Sequence, residues 1–208
     1  MSRESNLKNM LLCLFAITFV ASALLGGAFV LTYEPIEAAK KNEINAAIAR
    51  VVPTFDNTPS EEAIEREIDG KKVKIYPALQ GGAPVGYAIE ASTSKGFSGT
   101  IVLMVGFLPD GSVCNTAVVS HAETPGLGDK MDQKKSNFSL QFNGKNPDSF
   151  ALSVKKDGGD VDAITAATIS SRAFCDAVAL AHKAFLTLLP QTQGSAQQQQ
   201  QYEGGSHE

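Results

Sequence analysis

Cysteine and histidine are scarce in this chain of 208 residues, at three each. Cys13, Cys114 and Cys175 form no C-x-x-C pair, and His121, His182 and His207 are scattered. Zinc and iron–sulfur sites present closely spaced paired ligands, so no metal site is assigned. The same scarcity excludes a disulfide-dense secreted miniprotein. It leaves open whether Cys114 and Cys175 pair or are two buried, unreactive thiols. Basic charge is not in excess either: 18 Lys and Arg against 22 Asp and Glu leave a net charge of −4. Nucleic-acid binding needs clustered Lys and Arg, so no nucleic acid is expected as a partner. There are no internal repeats. With 43% hydrophobic and 19% charged residues, the chain is neither disordered throughout nor collagen-like. At roughly 100–200 residues per domain, it has room for one folded domain plus appendages.

A further absence locates the first element. No charged residue occurs between Lys8 and Glu34, and residues 10–31 are apolar apart from Thr18 and Ser22. As a helix those residues reach ~33 Å, enough to cross a hydrocarbon core of ~30 Å. A cleavable signal peptide is the competing reading. Arg3 and Lys8 would form its n-region, and Ala21-Ser22-Ala23 resembles a cleavage site. Cleavage after Ala23 would leave the apolar residues 24–31 on the mature N-terminus, which favours an uncleaved anchor. Arg3 and Lys8 precede the span while Glu34 and Glu37 follow it. The flanks therefore favour an N-terminus inside and the rest outside, although Lys40, Lys41 and Arg50 nearly balance a wider window.

Beyond the span, Ala38, Ala39, Ile44, Ala47, Ile48 and Val51 share one helical face, which predicts a helix over 37–51 ending before Pro53. A short acidic helix is expected from Thr58. Alternation over 72–77, followed by strand-like runs over 84–91, 100–107 and 113–120 with tight turns, predicts a hairpin-rich, mainly antiparallel sheet. Two shorter strands are expected at 138–142 and 150–155. Phe174, Val178, Ala181, Phe185 and Leu188 then recur at intervals of four and three, marking a helix that Pro190 stops. The whole reads as α+β: a single N-terminal transmembrane helix, then a mainly antiparallel sheet with packed helices. The expected boundaries are 1–9 for a cytoplasmic N-terminus and 10–32 for the span. Residues 33–190 form the external domain, and 191–208 a disordered glutamine-rich tail.

Two stretches could carry chemistry. His121-Ala-Glu-Thr-Pro-Gly-Leu-Gly follows a strand, and its Pro125, Gly126 and Gly128 make a tight loop with exposed backbone N–H groups. A turn of this composition is by itself only a turn. Asp160-Val-Asp-Ala-Ile-Thr-Ala-Ala-Thr-Ile-Ser-Ser leads into the last helix. Asp, Thr and Ser suit simple capping there. Four hydroxyls at a helix start beside small Ala166 and Ala167 suit a phosphate equally, because free N–H groups and the helix dipole both favour an anion.

Together these motifs resemble a family. Glu123-Thr-Pro-Gly-Leu-Gly followed by Asp162-Ala-Ile-Thr-Ala-Ala-Thr-Ile-Ser looks like the FMN-binding domain of the G-subunit of the Rnf electron-transport complex. The C-subunit of the sodium-translocating NADH:quinone oxidoreductase is similar. The likeness runs through Gly86-Tyr87, Gly96-Phe-Ser-Gly99 and Val105-Gly-Phe-Leu-Pro-Asp-Gly111, and covers roughly residues 33–189. The compact length and the Thr-Ala-Ala-Thr-Ile-Ser form lean towards the Rnf type.

The resemblance implies FMN held covalently, through a phosphoester on the last threonine of an S/T-G-A-T pattern. Thr168 occupies that place and Thr165 the first position. Asp162 is the upstream acidic residue read by a separate flavin transferase that uses FAD and magnesium. Ala166 stands where the pattern has glycine, which makes attachment depend on the local backbone. The phosphate would face the helix start at Ala167 and Thr168, helped by Ser170 and Ser171. Glu123 and Thr124, on the loop turned by Gly126, would hydrogen-bond the isoalloxazine edge, with Leu127 and Ile169 against its apolar parts. The expected role is a single-pass inner-membrane, periplasm-facing electron carrier in an ion-translocating ferredoxin:NAD oxidoreductase, among other membrane subunits. No catalytic acid, base or nucleophile is assigned. The alternatives are the quinone-oxidoreductase subunit, or a membrane-tethered binding or assembly module without a redox role.

Overall fold

The computed structural model describes residues 7–189. Residues 1–6, with Arg3, and the expected glutamine-rich tail lie outside the described residues. The chain divides into two units, Met1–Ile44 and Asn45–Glu208.

In the first unit, helix α1 (Leu7–Val51) exposes its large apolar side chains on every side, from Leu11 and Phe15 to Leu25 and Leu31. A helix apolar all round is suited to lipid, and this one is long and apolar enough to cross a membrane. Both of its threonine hydroxyls are satisfied within the helix: Thr18 donates to the Leu14 carbonyl and Thr32 to that of Ala28. The expected separate helix over 37–51 is instead the continuation of α1, which runs through Pro35. Pro35 removes one N–H, but the turns on either side propagate the helix across it.

The second unit begins with the end of α1, where Ala47, Ile48 and Val51 are buried. The acidic helix expected from Thr58 is a turn closed by bonds from Glu61 N to Thr58 O and Glu62 N to Pro59 O. The chain then enters a five-stranded antiparallel meander: β1 (Ile64–Ile68), β2 (Lys71–Gln80), β3 (Ala83–Thr93), β4 (Ile101–Phe107) and β5 (Val113–Ser120). Two-residue turns at Asp69-Gly70 and Gly81-Gly82, all with positive φ, join the first three strands and match their twist. The strands expected at 138–142 and 150–155 are absent. The first is a 3-10 helix (Phe138–Phe142). It turns Phe138 and Phe142 inward against Phe174, with ring centroids 5.2 and 5.0 Å away, and leaves Leu140 outside. The second is irregular: Val154 bridges to Val161, Ala151 N donates to Asp160 Oδ2, and Phe150 packs edge-on against Phe142.

Helix α2 (Thr168–Leu186) lies across β3 and β4, burying Phe174, Val178, Ala181 and Phe185 against Ile89, Leu103, Val105 and Phe107. It ends at Leu186, short of Pro190 in the sequence. Burying such side chains contributes about 1.5–3 kcal/mol each, which fixes the helix on the sheet.

The register decides what meets at one end of the sheet. Thr93 pairs with Ile101, and Val102 with Ser120. Residues 94–100 and the stretch after Ser120 therefore leave the sheet at the same end. The start of α2 is drawn there too, because Thr93 Oγ1 donates to Asp176 Oδ2 at 2.7 Å and Lys95 binds the same carboxylate. Burial raises the Asp176 pKa, but the bonds from Lys95 and Thr93 bring it below its ordinary value.

Candidate functional site

At this shared end a cavity of about 320 Å3 opens between residues 121–128, the β3–β4 loop and the first turn of α2. Glu123 organises it. Its carboxylate is 4% exposed and accepts hydrogen bonds from Ser98 N at 3.0 Å and Ser170 Oγ at 2.5 Å, so it ties together all three segments. Close approach requires glycine on either side. A Cβ on Gly96 would stand 2.7 Å from Glu123 Oε1, and one on Gly128 would stand 2.5 Å from Oε2. His121 supports the loop from behind, its Nδ1 accepting the Glu123 N–H at 3.1 Å.

Below the loop, Asp129 is 3% exposed and binds Lys135 Nζ at 2.6 Å. The Lys135 hydrogen bond, with help from the Gly126 N–H, holds the Asp129 carboxyl below the usual carboxylate range. The loop is thus pinned at both ends by buried acids.

The start of α2 is unusual in having no side-chain cap. Ala167 is its N-cap residue, and no hydroxyl bonds the first-turn N–H groups. Simple capping, the plain reading of this segment, does not occur. Ser170 is committed to Glu123, while Ser171 is fully buried, accepts from Ile164 N and donates to the Ala167 carbonyl. The expected help of both serines to a phosphate therefore needs correcting for Ser171, which faces the interior. Ala166 has φ 62°, in the left-handed region that L residues enter at about 1–2 kcal/mol.

Of the residues expected at the site, Glu123, Thr124, Leu127, Ala166, Ala167, Thr168, Ile169 and Ser170 line the cavity. Gly126 is at the tip of the loop and Thr165 points elsewhere, into a separate groove with Lys130, Gln141 and Asp162. Asp162 is exposed and paired with Lys155 at 2.7 Å. Its backbone is clasped by Gln141, which accepts from Asp162 N at 2.8 Å and donates to its carbonyl at 3.2 Å. At the next stretch, Arg172 grips Asp157 through two bonds of 2.7 and 2.8 Å, and these hold the Asp157 carboxyl below its usual range. The loop before α2 is thus fastened on both sides of residues 163–167.

Two lining residues are not legible as such in the sequence: Gly128 reads there as a turn residue, and Phe97 only as part of the Gly96-Phe-Ser-Gly99 likeness. Phe97 is 67% exposed and, with Leu127 and Ile169, gives the cavity an apolar rim. The signal available for it was an aromatic residue among small ones in a glycine-flanked loop. The three cysteines are free; burial of Cys175 pushes its thiol up to about 12.

Residues 96–183, which contain the cavity, match the FMN-binding domain family. Over 178 residues the chain is 36% identical to the G-subunit of the ion-translocating oxidoreductase complex of Shewanella baltica, covering 81% of this chain and 83% of that one. The protein of the same name from Pseudoalteromonas atlantica is 36% identical over 181 residues, with 81% and 82% covered. That from Vibrio cholerae is 35% identical over 180 residues, with 81% and 84% covered.

Proposed function

The chain belongs to the G-subunit family of ion-translocating oxidoreductase complexes, and from that premise we propose that Thr168 carries FMN as a phosphoester. The protein is an FMN-carrying, membrane-anchored electron-transfer subunit of a multisubunit complex. The finer reading concerns where the flavin is held and which way the domain faces.

The observation that carries it is the uncapped start of α2 opening into a cavity rimmed by Phe97, Leu127 and Ile169. Free first-turn N–H groups and the helix dipole favour a phosphate. Thr168 is half-buried at that position, so its hydroxyl is available to a modifying enzyme. The apolar rim suits an isoalloxazine ring, and the cavity falls in the range of about 300–1,000 Å3 common for small ligands. Ala166 has φ 62°, in the left-handed region that glycine favours, which supports reading it as standing in for the glycine of the pattern.

Thr168, Ile169 and Ser170 would hold the phosphate end, and Thr124, Leu127 and Phe97 the ring. Glu123 is engaged by Ser98 and Ser170, so its part is to brace the pocket and place a charge in its wall. When bound, the flavin supplies the electron-accepting and electron-donating chemistry. A separate flavin transferase, using FAD, would install it. The basic residues before the span and the acidic ones after it favour a domain facing the periplasm, within an ion-translocating ferredoxin:NAD oxidoreductase.

The test is co-expression with a flavin transferase. The wild-type chain should give a fluorescent band on a denaturing gel and a mass increase on the peptide containing Thr168. Thr168→Val should lose both. A wild-type chain that gains neither would refute covalent attachment.

A further inference from the structure

We propose that the Glu123 carboxylate sets the reduction potential of the flavin in this pocket, lowering it by placing a fixed negative charge in the pocket wall. The inference rests on the assignment of the cavity to FMN. It adds a role for one side chain and a sign for its effect.

Glu123 is the one charged side chain among the residues that line the cavity. The other walls are Phe97, Leu127, Ile169, two alanines, a glycine and neutral hydroxyl residues. A charge against such a wall is poorly screened, and its Coulomb effect on a neighbouring group exceeds that in water several-fold. The carboxylate is also held still. Ser98 N and Ser170 Oγ each bind one of its oxygens, and Gly96 and Gly128 press on those oxygens closely enough to exclude even a Cβ. Neither partner is a cation, and among the described residues no Lys, Arg or His forms an ion pair with it. Adding electrons to a group beside an unpaired, immobile anion is disfavoured, so the oxidised form is stabilised relative to the reduced one.

This reading differs from a purely structural brace. A brace is broken by any change that loses the bonds to Ser98 and Ser170. A charge effect follows the charge. Glu123→Gln keeps the shape and removes the charge, whereas Glu123→Asp keeps the charge and shortens the reach. Ser170→Ala keeps the charge and removes a donor that partly offsets it.

The full-length protein, co-expressed with a flavin transferase and solubilised in detergent, is titrated spectroelectrochemically at fixed pH. Glu123→Gln should raise the midpoint by at least a tenfold shift towards the reduced form, about 30 mV for a two-electron couple. Glu123→Asp should stay near wild type, and Ser170→Ala should move down. An unmoved or lowered midpoint in Glu123→Gln overturns the inference, as does an equal rise in Glu123→Asp. If Glu123→Gln fails to fold or to take up flavin, Ser170→Ala decides: a fall supports the inference, and an unmoved or raised midpoint overturns it. A wild-type protein without flavin overturns the pocket assignment and this inference together. Wild-type flavin with unresponsive variants overturns this inference alone.

Discussion

Gly128 and Ser170, on facing segments, leave no space between them: a Cβ on Gly128 would stand 2.5 Å from Ser170 Oγ. The same Cβ would meet Glu123 Oε2 at 2.5 Å, so it would wedge the loop off α2 at the bond that joins them. Gly128→Ala should therefore destabilise the protein by about 1–3 kcal/mol, the usual range for overpacking. It should also reduce covalent flavin yield. Gly126→Ala makes the contrast, since φ is 79° there but the space around it is open. That variant should carry only a backbone penalty of about 1–2 kcal/mol and keep its flavin. Thermal melts and flavin absorbance per protein separate the two. Equal losses of flavin would contradict the wedge.

Ala166 presents the reverse case, a side chain where glycine would be easier. It is exposed, so Ala166→Gly gives up no buried packing. Relief of the left-handed strain, about 1–2 kcal/mol, exceeds the added freedom of the unfolded chain, about 0.4–1 kcal/mol. A net gain of about 0.5–1 kcal/mol is expected in denaturant unfolding, with flavinylation at least as fast as wild type. A loss of stability would mean that the strain is imposed by neighbours rather than by the residue.

Strand β2 is legible because Val73 and Ile75 alternate with lysines, and β3 to β5 because their strand-like runs, continuous and apolar in β4, lie between turn formers. Strand β1 escaped because Ile64-Glu-Arg-Glu-Ile68 has a charged middle, and as an edge strand it buries little. Phe138, Leu140 and Phe142 alternate as a strand would, yet the tight 3-10 turn sends Leu140 outward while both phenylalanines pack on Phe174. The two halves of the site were legible as motifs. Their meeting was not, since it depends on the Thr93–Asp176 bond across 83 positions and on the Glu123–Ser170 bond across 47. The fate of Ser171, buried beneath Ile164, likewise follows from packing that no local pattern encodes.

His182 gives the domain an acid sensitivity at its other end. The residue is 8% exposed, its Nε2 lacks a hydrogen-bond partner, and its ring lies 5.9 Å from Phe107 and 6.5 Å from Phe185. Burial lowers its pKa below the ordinary value; exposed Asp148, 3.7 Å away, opposes this without reversing it. The unfolded chain takes up the proton near pH 6.5, whereas the folded chain resists. The stabilisation is complete above that pH and is lost as pH falls towards the folded value. Asp129 and Asp157, whose pKa values are lowered by Lys135 and Arg172, act at more acid pH. His182→Phe should flatten the fall in melting temperature as the pH drops below about 6.5. An unchanged slope would assign the effect to another group.

Phe97 is too exposed to support the fold: 67% of it faces solvent, on the loop between β3 and β4. Removing such a side chain usually shifts stability by no more than about 0.5 kcal/mol. With Leu127 and Ile169 it completes an apolar rim that no described residue covers, as the proposed flavin site requires. Phe97→Ala should thus leave the flavin-free protein's melting temperature nearly unchanged and leave Thr168 fully modified. The bound flavin should become more accessible, with iodide quenching its fluorescence more steeply than in wild type. In the proposed site, attachment would belong to the α2 end of the pocket and shielding to its rim, so the variant should separate the two. Quenching indistinguishable from wild type would place the ring away from Phe97 and limit the flavin's contacts to Leu127 and Ile169.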